Sequence, residues 1–334
     1  MILAAGKGER MRPLTDEIPK ALVNVAGKTL LEWAVDRYIR AEISNIVIAV
    51  GWKGSLIEDF VKTSHLGVKV VHVHDYEIGP LQTLLTALEN FEGNFLLSPV
   101  DAIIEPASLI GMGAYHSETC GHEGMLLATN SDAESGTLVG IDEDGLVKEI
   151  GDVHTKINSV RSAMMFIGNT TIRESCRTAI DDGKERVVQL LEQLVQKGSH
   201  VHTYNIQQSI LDIDTLSDLL SANEFLLKRG CVSGEGSVYV PSGDRIELGD
   251  TLTLKTNIKL EKGTTIIGPV LVLSGCHISE NCTLGPNVTI DSNTTLSRGC
   301  VVSDAVIFGG TKISSQRHIH RSIIYRSIEY DVEV

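Results

Sequence analysis

Two glycines and four fixed cations crowd into one loop near the start of the chain. Residues 3–20 read Leu-Ala-Ala-Gly-Lys-Gly-Glu-Arg-Met-Arg-Pro-Leu-Thr-Asp-Glu-Ile-Pro-Lys. A short apolar strand over 2–5 thus runs into Gly6, Lys7, Gly8, Arg10, Arg12 and finally Lys20. Glycine lets backbone N–H groups turn toward an anion and approach it closely, and the arginines and lysines add positive charge. The stretch reads as a phosphate binder. Two commoner phosphate motifs do not fit. A dinucleotide fingerprint needs a third glycine where Met11 stands, and Gly27-Lys28-Thr29 lacks the earlier Walker A glycine, which is Leu22 here.

Two carboxylates stand where strands end. Asp101 follows the apolar run 94–98, in Phe95-Leu-Leu-Ser-Pro-Val-Asp101. A carboxylate there can take a hard cation, and Mg²⁺ prefers one or two carboxylates plus phosphate oxygens. A loop aspartate also forms caps and turns, so the residue alone leaves both roles open. Asp214 reads as the N-cap of a helix carrying Leu216, Leu219, Leu220, Leu226 and Leu227. That leaves Asp212, at the end of the preceding strand, as the candidate ligand.

The whole of 3–20 closely resembles the signature of the sugar-1-phosphate nucleotidyltransferases, the NDP-sugar pyrophosphorylases. The resemblance implies transfer of a nucleotidyl group from a nucleoside triphosphate to a sugar 1-phosphate, with release of pyrophosphate. It implies catalytic roles for Arg10 and Lys20, and nucleotide contacts at Leu3, Ala5, Gly6, Gly8, Gln82 and Thr83. It assigns Mg²⁺ to Asp101 and Asp212, and the sugar phosphate to Asp152, Ser162 and Lys156. The family usually has a few residues more before the loop, which implies a clipped start.

Four pocket stretches depart from the family pattern. Pro-Leu-Gly-Thr-Ala becomes Pro80-Leu-Gln82-Thr83-Leu84, and Asn-Gly-Asp becomes Pro99-Val100-Asp101. Glu-Lys-Pro becomes Asp152-Val153-His154, and an Asn-Ala-Gly wall becomes Ser162-Ala163-Met164. Methionine or valine in place of glycine adds bulk that a packed pocket must accommodate. Loss of the lysine at Val153 removes a charge-assisted contact worth roughly 1.5–3 kcal/mol, which Lys156 can replace. Two rival readings follow: a non-catalytic regulatory or scaffold relative that binds nucleotide or NDP-sugar, and a bifunctional enzyme with an acyltransferase tail.

The elements around these residues alternate. Thr29 and Glu32 form a capping-box pattern before Leu31, Ala34, Val35, Tyr38 and Ile39 at helical spacing. Strands are expected over 45–50, 68–73 and 94–98, with helices over 55–63 and 81–90 between them. This predicts an α/β fold with a doubly wound, mostly parallel, Rossmann-like sheet, its ligands beyond the carboxyl ends of the strands. Strands over 124–130, 136–142, 146–150 and 160–167 follow, with a hairpin turn at 143–145. Helices over 171–180 and 185–196 and a strand over 200–205 complete a domain spanning 1–229.

From 232 to 334 the sequence repeats. Apolar residues return every six places at Leu248, Leu254, Leu260, Ile266, Val272, Ile278, Leu284, Ile290, Leu296, Val302 and Phe308. A second column runs two places ahead: Ile246, Leu252, Ile258, Thr264, Val270, Cys276, Cys282, Val288, Thr294, Cys300 and Val306. Both columns are expected to point inward, which makes three of the cysteines core residues. This is the hexapeptide pattern of a parallel β-helix. The family resemblance implies a left-handed one, with three hexads per coil. Gly249, Asn257, Gly285, Asn287 and Asp291 suit its corners. An open terminal coil wants covering, which predicts a homo-oligomer. His277, His318 and His320 are the only hint of acyl transfer, and they read as solvated or satisfied side chains.

Bulk properties narrow the partners. The 334 residues carry a net charge of −14, which argues against nucleic acid or an anionic membrane surface. No run is long and apolar enough to cross a bilayer, and no cationic-then-apolar leader is present, so a cytoplasmic protein is expected. The six cysteines form no Cys-x-x-Cys pair, and reduced, buried thiols are the reading.

Overall fold

The structure is a computed structural model and describes residues 1–121, 124–131, 136–151, 158–208, 210–232 and 236–332. In chain order the elements up to the repeat region begin with β1 (Ile2–Ala4), α1 (Leu14–Glu17), β2 (Asn24–Val25), β3 (Lys28–Thr29), α2 (Leu30–Arg40) and β4 (Val47–Val50). Next come α3 (Gly54–Ser64), β5 (Lys69–His72), α4 (Pro80–Leu88), β6 (Asn94–Pro99), β7 (Ala102–Ile103) and α5 (Pro106–Tyr115). Then follow β8 (Met125–Asn130), β9 (Leu138–Ile141), β10 (Val147–Ile150), β11 (Asn158–Asn169), α6 (Arg173–Asp181) and α7 (Val187–Gln196). The series closes with β12 (Val201–Asn205), β13 (Leu211–Asp212) and α8 (Leu216–Lys228). None of the helices is long and apolar enough to cross a membrane, among the described residues.

The chain divides into two compact units. The first comprises Met1–Gly8, Ile18–Ala21 and Leu31–Asp212, and the second Glu9–Glu17, Leu22–Leu30 and Ile213–Val334. Compactness therefore groups α8 with the repeats rather than dividing the chain at 229–232. The reason is that α8 packs along strands of the β-helix.

In the first unit the expected doubly wound sheet is present. Its order is β10-β9-β11-β6-β1-β4-β5, with β8 beside β11 and β12 beside β8. The pairings β6-β1, β1-β4 and β4-β5 are parallel, and all four residues of β4 are buried, as a strand covered on both faces requires. The long strand β11 runs antiparallel to β6, β8 and β9, so the far half of the sheet is mixed. The hairpin β9-β10 forms at the expected turn. Asp142 Oδ1 accepts the N–H of Asp144 at 3.0 Å and of Leu146 at 2.9 Å, and Gly145 takes a left-handed φ of 74°. Leu81, Leu84 and Leu88 of α4 pack with Phe95, Leu97 and Phe166 of the sheet, where the two phenylalanine rings meet edge to face at 5.9 Å.

In the second unit α8 starts one residue later than expected. Thr215, not Asp214, is the N-cap: its hydroxyl accepts the Asp218 N–H at 3.1 Å while the Asp218 carboxylate accepts the Thr215 N–H at 2.7 Å. A reciprocal capping box satisfies two orphan donors, which an isolated aspartate one residue earlier does not.

The repeats form a left-handed parallel β-helix. Lys259 stacks on His277 and His277 on Thr295, so a coil takes 18 residues, three hexads. Ile258, Thr264, Val270, Cys276, Cys282, Val288, Thr294 and Cys300 are all buried, as are Leu260 through Val302 in the other column. The pattern fails at both ends. Val238–Val240, Arg245–Glu247 and Leu252–Thr253 pair antiparallel with the coil above them, because the chain reverses around Asn257. Ile246 and Leu252 oppose Ile266 and Leu260, yet each is 40% exposed because no further coil covers them. At the other end Val288 stacks on Ala305, one residue short of a full coil. A slip of one residue turns the opposite face inward, so Ala305 and Ile307 take the core places expected for Val306 and Phe308. Of the expected corners, Asn257, Gly285 and Asn287 have left-handed φ, whereas Gly249 and Asp291 do not.

The cysteines are free, with Cys276, Cys282 and Cys300 inside the β-helix. Burial pushes the Cys276 thiol up to about 11. His277 is engaged rather than available. Its Nε2 lies 2.9 Å from Glu261 Oε1, and hydrogen bonds from Lys259 and His277 hold the Glu261 carboxyl at about 2.

A stability difference follows from the stack. Ile278→Ala is expected to cost about 3 kcal/mol and Ile246→Ala below about 1 kcal/mol in chemical denaturation of the intact chain, because only the first leaves a closed cavity. Equal losses would contradict the assignment of the open end.

Candidate functional site

In the first unit the carboxyl ends of three parallel strands lie side by side. Leu3 of β1 stands opposite Ala49 of β4 and Pro99 of β6. The Trp52 N–H donates to Ala5 O at 2.9 Å and the Val100 N–H to Leu3 O at 3.1 Å, which anchors the loops leaving these strands. A Cβ placed on Gly6 would meet nothing within 4 Å, so that glycine is not demanded by packing and leaves its peptide open to close approach. Gly8 takes a left-handed φ of 64°, which favours glycine for a different reason. Lys7 is drawn aside, with Nζ 2.6 Å from Glu77 Oε1 and 5.8 Å from the centre of the Trp52 ring.

The two expected metal ligands converge. β13 pairs antiparallel with β7 so that Asp212 stands opposite Ala102, the neighbour of Asp101. Carboxylate oxygens of Asp101 and Asp212 lie within 4.8 Å of each other. Lys20 donates to Asp101 Oδ2, and both side chains are largely buried. Asp101 Oδ1 is buried with no hydrogen-bond partner among the described residues. A buried, unsatisfied carboxylate oxygen beside a second carboxylate is a donor set that a hard divalent cation fits.

The remaining expected residues are placed as follows. Arg10 belongs to the second unit, where its guanidinium pairs with Asp214 Oδ2 at 2.6 Å. Gln82 and Thr83 lie in the first turn of α4, and the Thr83 hydroxyl donates to Gly79 O at 3.3 Å. Ser162 is buried in β11, and its hydroxyl accepts the Met164 N–H at 3.2 Å. Asp152 and Lys156 lie outside the described residues.

Three features were not read from the sequence. Asp214, expected as a cap, is the partner of Arg10. Trp52 carries Lys7 and Lys53 against its ring, with its indole nitrogen buried and without a hydrogen-bond partner among the described residues. Met164 takes a left-handed φ of 57° and is 46% exposed, at an irregularity where β11 changes register against β8. The signal for Met164 was present, because the family has glycine at that place.

Comparison with known proteins places the chain in a family. The chain belongs to the MobA-like NTP transferase domain family, whose pattern matches residues 1–194, and residues 266–331 match the GMPPB C-terminal domain. It is similar to the N-acetylmuramate alpha-1-phosphate uridylyltransferase of Neisseria meningitidis, 58% identical over 59 residues. That match covers 18% of this chain and 26% of the relative, so the chain spans about a quarter of that relative's length. The UTP–glucose-1-phosphate uridylyltransferase AglF of Haloferax volcanii is 25% identical over 233 residues, covering 68% of this chain and 95% of the relative. A solved UDP-glucose pyrophosphorylase complexed with UDP-glucose shares the fold, with a TM-score of 0.57 at 17% identity, over 68% of this chain and 97% of that one.

The donor set is testable without turnover. Asp101→Asn and Asp212→Asn are each expected to weaken Mn²⁺ binding by about tenfold or more in calorimetry, the size of a lost charge-assisted contact. Unchanged affinity in either variant would remove that residue from the site.

Proposed function

We propose that the chain transfers a nucleotidyl group from a nucleoside triphosphate to a sugar 1-phosphate, giving an NDP-sugar and pyrophosphate. The meeting of Lys20, Asp101 and Asp212 beyond the carboxyl ends of β1 and β6 carries this reading. An oxygen of the sugar phosphate attacks the α-phosphorus in line. The new P–O bond forms as the bond to pyrophosphate breaks, so no protein nucleophile is required. The protein's task is to hold two anions together and to neutralise the charge that builds between them.

Lys20 brings its ammonium to the reacting phosphoryl group, and the peptides around Gly6 and Gly8 cradle the triphosphate. Arg10 attends the leaving pyrophosphate. Gln82 and Thr83 frame the base, and Ser162 belongs to the sugar wall. A divalent cation held by Asp101 and Asp212, which we take to be Mg²⁺, would supply charge neutralisation at phosphate oxygens of both substrates. The uridylyl transfer named for both relatives makes UTP the first triphosphate to test. We place the reaction in the cytoplasm. The exposed open end of the β-helix, with Ile246 and Leu252, supports a homo-oligomer, which light scattering on the purified chain would count.

Pyrophosphate release across nucleoside triphosphates and sugar 1-phosphates tests the reading directly. Silence across the panel with nucleotide binding retained would move it to a non-catalytic relative. In the active pair, Lys20→Ala should lower kcat by about a hundredfold or more, the scale of a lost oxyanion donor. Triphosphate affinity should change by less than about threefold, since the lysine acts on charge that develops late. Equal loss of both would contradict that role.

A further inference from the structure

The β-helix begins with three short strands around one triangular end. They are β14 (Val238–Val240), β15 (Arg245–Glu247) and β16 (Leu252–Thr253), one against each face of the coil above. Among the described residues each is the last strand of its sheet, so one edge of its backbone has no neighbouring strand. Ile246 and Leu252 are each 40% exposed there. An open strand edge beside exposed apolar side chains is a template for a further strand.

The groups that this edge offers follow from the pairing of β15 with Thr265–Ile267. The Leu248 N–H donates to Thr264 O at 3.0 Å, and Asp244 O accepts the Gly268 N–H at 2.9 Å. In an antiparallel pair, residues bonded to one neighbour alternate with residues that point away from it. Asp244, Ile246 and Leu248 therefore bond inward, and Arg245 and Glu247 present their N–H and C=O groups to the open edge. A second copy of β15 can meet them in three antiparallel registers. Two of these set Arg245 against Arg245 or Glu247 against Glu247, and so oppose like charges. The third is centred on Ile246 and sets each arginine against the other copy's glutamate, twice over.

That register also suits the other two faces. Val240, Ile246 and Leu252 are six residues apart, one on each face, so a two-fold through Ile246 exchanges the flanking strands. Val240 then meets Leu252 of the second copy, Val238 meets Leu254, and Ile246 meets itself. Val238 and Leu254 already pack against the β-helix core, so the apolar columns continue across the junction. The other charges of this end, Asp244, Asp250 and Lys255, fall opposite Leu248, Ser242 and Ser237. Within one chain Arg245 and Glu247 pair at 2.8 Å on the exposed surface, where an ion pair contributes little. Across two copies the four side chains form a ring of alternating sign.

We propose that this end of the β-helix is an isologous contact between two copies of the chain, in which β15 pairs antiparallel with itself about Ile246. This rests on the homo-oligomer proposed above and is independent of the reaction. At dilutions where the copies separate, Ile246 is exposed again, and the stability difference given for Ile246→Ala applies to that separated chain.

The test is sedimentation velocity on the full-length chain as wild type, Arg245→Glu, Glu247→Arg and the double variant. Each single variant sets like charges together at both contacts, and self-association should weaken by about tenfold or more. An equal mixture of the two single variants should recover the wild-type mass, because every glutamate again meets an arginine. The double variant, which exchanges the two signs, should associate as the wild type does. A misfolded chain is not rescued by mixing, so recovery separates a broken contact from a broken fold. Should a single variant fail to fold, Ile246→Lys sets two lysines together on the two-fold and should weaken association in the same way. Wild-type mass in the single variants, or a mixture that stays apart, would overturn the pairing while leaving an oligomer built through another surface. A wild type that stays monomeric at every concentration would overturn the homo-oligomer reading as well.

Discussion

Two carboxylates brought within 4.8 Å of each other, one of them bonded to a lysine, are the constraint on which the rest depends. Asp101 and Asp212 repel each other, and a chain with a net charge of −14 offers them little relief. What keeps them together is backbone pairing. The two-residue ladder β7-β13 sets Asp212 across from Ala102, and Lys20 donates to Asp101 from the end of the signature loop. The parallel sheet fixes where that ladder begins, because β6 delivers Asp101 beside β1 and its loop. A divalent cation would relieve this repulsion, and the fold holds the two carboxylates together beforehand.

How much of this could be read in advance varied with the range of the interaction. The glycine- and cation-rich loop stood out as a candidate phosphate binder because its pattern is local: glycines and cations a few residues apart constrain one turn of chain. The hexads were legible from Ile258 to Val302 because each coil repeats the environment of the last. They misled at the ends, where the chain reverses near Asn257 and where a coil loses one residue before Ala305. Neither event leaves a periodic trace. The meeting of Asp101 with Asp212 depends on a ladder too short for any alternation to show. Asp214 and Thr215 compete for one cap, and only the reciprocal bond to Asp218 decides it.

Asn223 illustrates the limit more sharply. A polar residue within an amphipathic helix ordinarily faces water, and this one is buried against a turn 197 residues earlier in the chain. Covering of the β-helix's outer surface by α8 explains it. Thr289, Val306 and Ser322 are buried although they are outside the inner columns, and α8 packs along the strands that carry them. The buried polar groups at that contact then find partners on α8 rather than in solvent.

The central claim is that one cation binds between Asp101 and Asp212 beside Lys20. Anomalous diffraction from crystals soaked with Mn²⁺ and a nucleoside triphosphate would test it most directly. A single strong peak within coordination distance of both carboxylates, and in contact with the phosphates, is the expected result. Ordered nucleotide with the peak elsewhere, or with one carboxylate turned away from it, would contradict the account.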